Sequence, residues 1–139
     1  MNVINSYPPN IDSILNRFSF GKEFVKQRGV VFSYGDDLYN PSGVNVSDDL
    51  LLHEATHGSR QKTMGVEEWW NKYLEEDEFR LNEEIIAYKK QYAYLHQRYK
   101  DREVRASYLM RLASDLSSDI YDNVIEYNEA VKIIRNGLH

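Results

Sequence analysis

The sequence predicts an α+β fold, mostly helical, with a small N-terminal hairpin or sheet. Three observations lead there. The stretch "GVVFSYGDDLYNPSG" (29–43) is rich in Val, Phe and Tyr and is punctuated by Gly, Asp and Pro, as strands and tight turns are. From Ser47 onward the apolar residues recur at three- and four-residue steps, which is helical spacing. Apolar residues make up 42% and charged residues 28% of 139 residues, a globular balance at the size of a single domain, 1–139.

Taken in order, "SYPPN" reads as a turn, after which Asn10 or Asp12 caps a short helix carrying Ile11, Ile14, Leu15 and Phe18 and ending at Gly21. A strand follows at about Val30–Tyr34. A shorter partner lies near Leu38–Tyr39, with Gly35-Asp36-Asp37 between the two. Ser47 offers an N-cap, and Asp48 and Asp49 suit the positive end of the helix dipole. In that helix Leu51, Leu52 and Ala55 form an apolar side, and Gly58 and Gly65 bracket its exit. "VEEWWNKYLE" makes a short helix with Trp69, Trp70, Tyr73 and Leu74 on one side. A clamp against the core explains the paired Trp residues better than the rim of a cleft. A long helix runs from about Asp77 to Lys100 with an inward stripe of Leu81, Ile85, Tyr88, Tyr92, Leu95 and Tyr99. Another carries Val104, Tyr108, Leu112 and Leu116. "LSSDIYDN" breaks the pattern, and a last helix at about Asn128–Arg135 stops at Gly137.

The net charge of -5, with both signs evenly mixed, leaves no basic stripe to follow phosphates, so nucleic acid is not an expected partner. No run approaches the eighteen apolar residues of a membrane span, and the first residues do not read as a signal peptide. A soluble cytosolic protein is the expectation. Without cysteine there are no disulfides or thiolate sites, so any metal falls to His, Asp or Glu.

The chemistry concentrates in "LHEATHGSRQ", where His53, Glu54 and His57 spell HExxH. Residues four apart lie one turn along the same helical face, so both imidazoles can reach one ion. A zinc hydrolase also needs a third protein ligand, an open position for water and a carboxylate base; Glu54 supplies the base. The metzincin arrangement requires Gly and His three and six residues past the second His, and those positions hold Arg60 and Thr63. A glutamate from a second helix remains, in the E-x-x-A or E-x-x-D pattern of the gluzincins. Of Glu67, Glu68, Glu75, Glu76, Asp77, Glu78, Glu83 and Glu84, the last lies on the apolar stripe of the long helix and begins "EIIA". A carboxylate there is costly unless paired or bound to metal. Glu83 is next, about 100° round the helix. The plainer alternative pairs Glu84 with Arg60 or Arg111 and leaves the histidines on the surface without metal. Tyr88, Tyr92 and His96 are the candidate oxyanion stabilisers, with core packing the stronger reading for the tyrosines. By analogy of fold alone, the strand before the motif helix would be an edge that pairs with substrate backbone.

The stretches "VVFSYGDDLYNPSG", "HEATHGSRQ", "EEWWNKYLEEDEFRLNEEIIAYKKQY" and "RLASDLSSDIYDNVIEYNEAVKIIR" resemble a family of small HExxH proteins encoded by tailed bacteriophages and prophages, over about residues 30–137. The resemblance implies a zincin-like, gluzincin-type domain, with the HExxH helix packed on the long glutamate-bearing helix. It implies Zn2+ held by His53, His57 and Glu84, with Glu54 as the base. It also implies one of two settings in the host bacterial cytoplasm. One is a metallopeptidase acting on a phage or host protein. The other is a structural or assembly component, incorporated in the virion among other phage proteins, that keeps the fold, with or without its zinc, and does no catalysis.

Overall fold

The computed structural model describes residues 1–136, so the Gly137 helix stop and the terminal His139 lie outside the described residues. The chain forms two compact units, one over Met1–Glu76 and one beginning at Asp77. The α+β expectation holds: the chain is mostly helical with one three-stranded sheet.

In the first unit the elements run β1 (Asn2–Ile4), α1 (Ile11–Phe18), α2 (Lys22–Arg28), β2 (Phe32–Tyr34), β3 (Asp37–Tyr39), α3 (Asp48–Met64) and α4 (Val66–Glu75). The sheet order is β1-β3-β2. Asn2 pairs with Asp37 in the parallel half, and Ser33 pairs with Leu38 in the antiparallel half. The β2–β3 link is the two-residue Gly35-Asp36. Gly35 has φ +62°, a backbone that fits Gly at the first central position of a tight hairpin. Asn40 closes the exit from β3, its side-chain amide donating to the Val44 carbonyl at 2.7 Å, so "NPSG" is a plain turn. Buried Ile11, Ile14, Val25, Phe32, Leu38, Trp69, Trp70, Tyr73 and Leu74 supply the apolar interior of this unit.

Two elements here differ from expectation. Residues 22–28, "KEFVKQR", form a helix that begins at Gly21 and ends at left-handed Gly29. With Val25 as its single buried residue it leaves almost no apolar period to read. Strand β1 is three residues long and takes its definition from pairing with β3, a long-range contact that local pattern does not carry.

The second unit contains α5 (Asp77–Arg98), α6 (Arg102–Leu116), a single 3₁₀ turn (Asp119–Tyr121) and α7 (Tyr127–Asn136). The Asp101 carboxylate caps α6, accepting from the backbone N–H groups of Glu103 and Val104. Tyr88, Tyr92, Leu95, Leu109, Leu112, Ala113, Leu116, Ile125, Ala130 and Ile134 make one apolar cluster joining α5, α6 and α7. Arg80 is buried, and its guanidinium donates to Asp77 and to Asp122 at 2.9 Å. Asp122 is left-handed (φ +62°), so this buried cation ties a strained turn to the start of α5.

On α5 the buried positions are Arg80, Glu83, Glu84, Ala87, Tyr88, Gln91, Tyr92 and Leu95. Along the expected apolar stripe Tyr88, Tyr92 and Leu95 are buried, while Leu81, Ile85 and Tyr99 are partly buried and pack against the same cluster. Apolar periodicity cannot register a face that buries polar groups.

Near the end of α5, His96 has its pKa held below the ordinary 6.5, first by burial and then by the charges of Arg105 and Lys100. The unfolded chain therefore takes up this proton more readily than the folded one. Stability associated with neutral His96 is present above the unfolded pKa and is lost as pH falls through about 6.5. A His96→Gln variant is expected to show a smaller drop in Tm than wild type between about pH 7.5 and 5.5. An equal drop in calorimetric scans would remove His96 from the acid response.

Candidate metal centre

The motif helix α3 starts after Ser47 in extended backbone and carries Asp48 and Asp49 in its first turn. Its buried residues are Asp49, His53, Glu54, Thr56, His57, Gly58 and Gln61, while Leu51, Leu52 and Ala55 are half-buried. The expectation of an apolar inward side is thus overturned: the helix turns its polar stripe inward. Gly58 lies inside the helix, which continues to Met64 and stops at Gly65 (φ +107°). Burying so many polar groups is unfavourable unless each is bonded, paired or bound to metal.

His53 and His57 are each 3% exposed, so they are not surface residues. Their ring centroids lie 4.9 Å apart, edge to face, as one turn of helix dictates. Behind His57 stand the rings of Trp69 at 5.3 Å and Tyr73 at 6.3 Å, themselves stacked 4.8 Å apart. The Trp pair therefore clamps α4 as expected. Trp69 backs His57, and the Trp70 indole N–H donates to the Ser33 carbonyl at 3.1 Å.

The hairpin is bonded to α3 at the same place. Gln61 Oε1 accepts from the Gly35 N–H at 2.7 Å, and its Nε2 donates to the Ser33 carbonyl and to Ser33 Oγ, both at 3.1 Å. These contacts correct the expectation for the strand before the motif helix. β2 is at the edge of the sheet, but its outward carbonyl at Ser33 already serves an amide and an indole. A substrate backbone cannot pair there while those bonds stand.

Glu84 is 3% exposed on α5, and Glu54, next to His53 in the chain, is 9% exposed. One ligand atom from each of His53, His57 and Glu84 lies within 4.8 Å of the other two. The three form a buried group able to hold a metal ion. Two imidazoles and one carboxylate, leaving one open position, is the donor set of catalytic zinc sites. Glu83, the next candidate, is buried as well but does not belong to that group.

The candidate oxyanion stabilisers fare differently. Tyr88 and Tyr92 are part of the apolar cluster. The Tyr88 hydroxyl lies 3.1 Å from that of Tyr121, and the Tyr92 ring packs edge-on against His96. At 1.5 Å per residue, Tyr92 and His96 stand about 12 and 18 Å along the helix from Glu84. Donation to an oxygen near Glu84 needs contact at about 3 Å, so His96 is out of range and Tyr92 is a core residue. Sequence reasoning passed over Gln61, although it continues the His53–His57 stripe by one more turn.

Comparison of the chain with protein-family models, with curated proteins and with solved structures finds no match. Among the described residues, no helix is long and apolar enough to cross a membrane.

Proposed function

We propose that the protein is a zinc-dependent, gluzincin-like metallopeptidase, with His53, His57 and Glu84 as ligands and Glu54 as general base. The observation that carries this reading is the buried group of two imidazoles and one carboxylate, with a second buried carboxylate, Glu54, on the helix that bears the imidazoles. Bound there, a zinc ion would supply Lewis acidity for polarising a peptide carbonyl and acidifying water. The chain's own part is then proton transfer. Glu54 takes a proton from the attacking water on its carboxylate and delivers it to the leaving amine. The aromatic wall of Trp69 and Tyr73 keeps the His57 side of the site dry, where electrostatic effects are strongest.

A second reading is a structural or assembly component of a phage particle that uses the same zinc without catalysis. It is favoured by burial, since all three ligands are 3% exposed and Glu54 is 9% exposed. The phage setting itself rests on the resemblance in sequence.

Elemental analysis of purified protein is expected to find about one zinc per chain, and none would end both metal-dependent readings. Cleavage of labelled casein and of a quenched-peptide library should disappear in Glu54→Gln with zinc content unchanged. Retained cleavage in that variant rules out Glu54 as base. A wild type that binds zinc but cleaves neither probe favours the structural reading.

A further inference from the structure

The segment joining α6 to α7 is held at both ends and exposed in the middle. Leu116 at its start and Ile125 at its end are buried in the apolar cluster, while Asp119, Ile120, Asp122, Asn123 and Val124 between them face solvent. It is a strap, and two side chains fasten its centre to α5. The Tyr121 hydroxyl lies 3.1 Å from that of Tyr88, and the Asp122 carboxylate accepts from the Arg80 guanidinium at 2.9 Å. Arg80, Glu84 and Tyr88 follow one another at four-residue steps, so they share one face of α5, one turn apart. The strap is therefore pinned one turn before and one turn after the Glu84 carboxylate.

Three features make the fastening easy to release. Asp122 and Asn123 are consecutive left-handed residues (φ +62° and +51°), a backbone that side chains other than glycine adopt at a cost. Arg80 is buried but also donates to Asp77, so losing Asp122 still leaves the cation paired. The backbone bonds of the turn are local, from Tyr121 and Asn123 to the Ser118 carbonyl and from Asp122 to that of Asp119, so it can swing as a unit without breaking them. Glu84 itself is almost fully buried. An ion or a peptide reaches it only after something beside it moves.

We propose that residues 117–124 are a lid on the metal centre, latched shut by the Tyr88–Tyr121 and Arg80–Asp122 contacts. This rests on the metal reading above. A lid is distinguishable from a ligand or a support, because it alters the rates of ion entry and exit by the same factor and leaves affinity alone.

The test follows Zn2+ uptake and its release to a chromophoric chelator by stopped flow, with hydrogen exchange of the strap measured by mass spectrometry. Tyr121→Phe removes one latch hydroxyl; Asp122→Gly removes the other latch and suits the left-handed backbone. Each lost bond is expected to speed both uptake and release by at least about fivefold, with Kd within about twofold of wild type and faster hydrogen exchange in the strap. Ile120→Ala, on the strap but in neither latch, should leave the rates within about twofold. Rates like those of wild type in both latch variants overturn the lid, and so does a Kd that changes along with the release rate. Tyr121→Phe differs by a single oxygen, so it decides the matter alone should Asp122→Gly not fold. A wild type that binds no Zn2+ overturns the metal reading and the lid together, and no variant is needed to see it.

Discussion

Replacing Glu84 by alanine is expected to weaken zinc binding by at least about a hundredfold, more than the usual effect of losing an outer-shell partner. The effect can be read as stability. Zinc at a thousand times its Kd adds about 4 kcal/mol to a protein that binds only when folded. With each factor of ten worth about 1.4 kcal/mol, a hundredfold loss leaves only about 1.4 kcal/mol of that gain. For a chain of this length the zinc-dependent rise in Tm should shrink from roughly ten degrees to a few. Glu83→Ala is the matched control, being equally buried on the same helix but outside the ligand group, and should bind zinc within about threefold of wild type. Equal losses in the two variants, by titration against a chelator, would refute the choice of Glu84.

Gly58→Ala is expected to destabilise the protein even though alanine is the better helix former. The added Cβ would lie 2.3 Å from the Gly35 carbonyl oxygen and 3.1 Å from the Met1 side chain. A methionine can swing away, but a backbone carbonyl in a two-residue turn cannot without moving the hairpin. Overpacking costs about 1–3 kcal/mol, against about 1 kcal/mol gained by removing a helical glycine. A contact so short sets the cost at the upper end, so we expect a net loss of about 2 kcal/mol and a Tm lower by several degrees. A neutral or stabilising substitution in thermal melts would show that α3 and the hairpin are not so close.

Most helices were legible because their buried faces are apolar, as in α4, α6 and α7. The candidate site was legible for the opposite reason: HExxH declares two imidazoles on one face, and a carboxylate beside Ile85 is conspicuous. The stripe used to choose Glu84 was nevertheless misplaced by about one residue. The face that buries Glu84 also buries Arg80, Glu83 and Gln91, none of which a hydrophobic pattern can count. The same blindness put Leu51 and Leu52 inside α3 in place of Thr56 and Gln61. Gln61 escaped notice because a glutamine among polar neighbours looks like solvent-facing filler, and its partners are backbone groups 26 and 28 residues away. β1 and α2 were missed through brevity, each taking its shape from its surroundings more than from its own residues.

The amide of Gln61 and the indole of Trp70 also bear on how this protein behaves in a crowded solution. A small sheet with bare margins is a template on which identical chains can add strand to strand. Here the outer carbonyl of β2 is occupied by side chains of the same molecule. The opposite margin, β1, is three residues long. A row that short offers a second chain little to zip onto, so the bonds that tie the hairpin to α3 and α4 also guard the sheet against self-association.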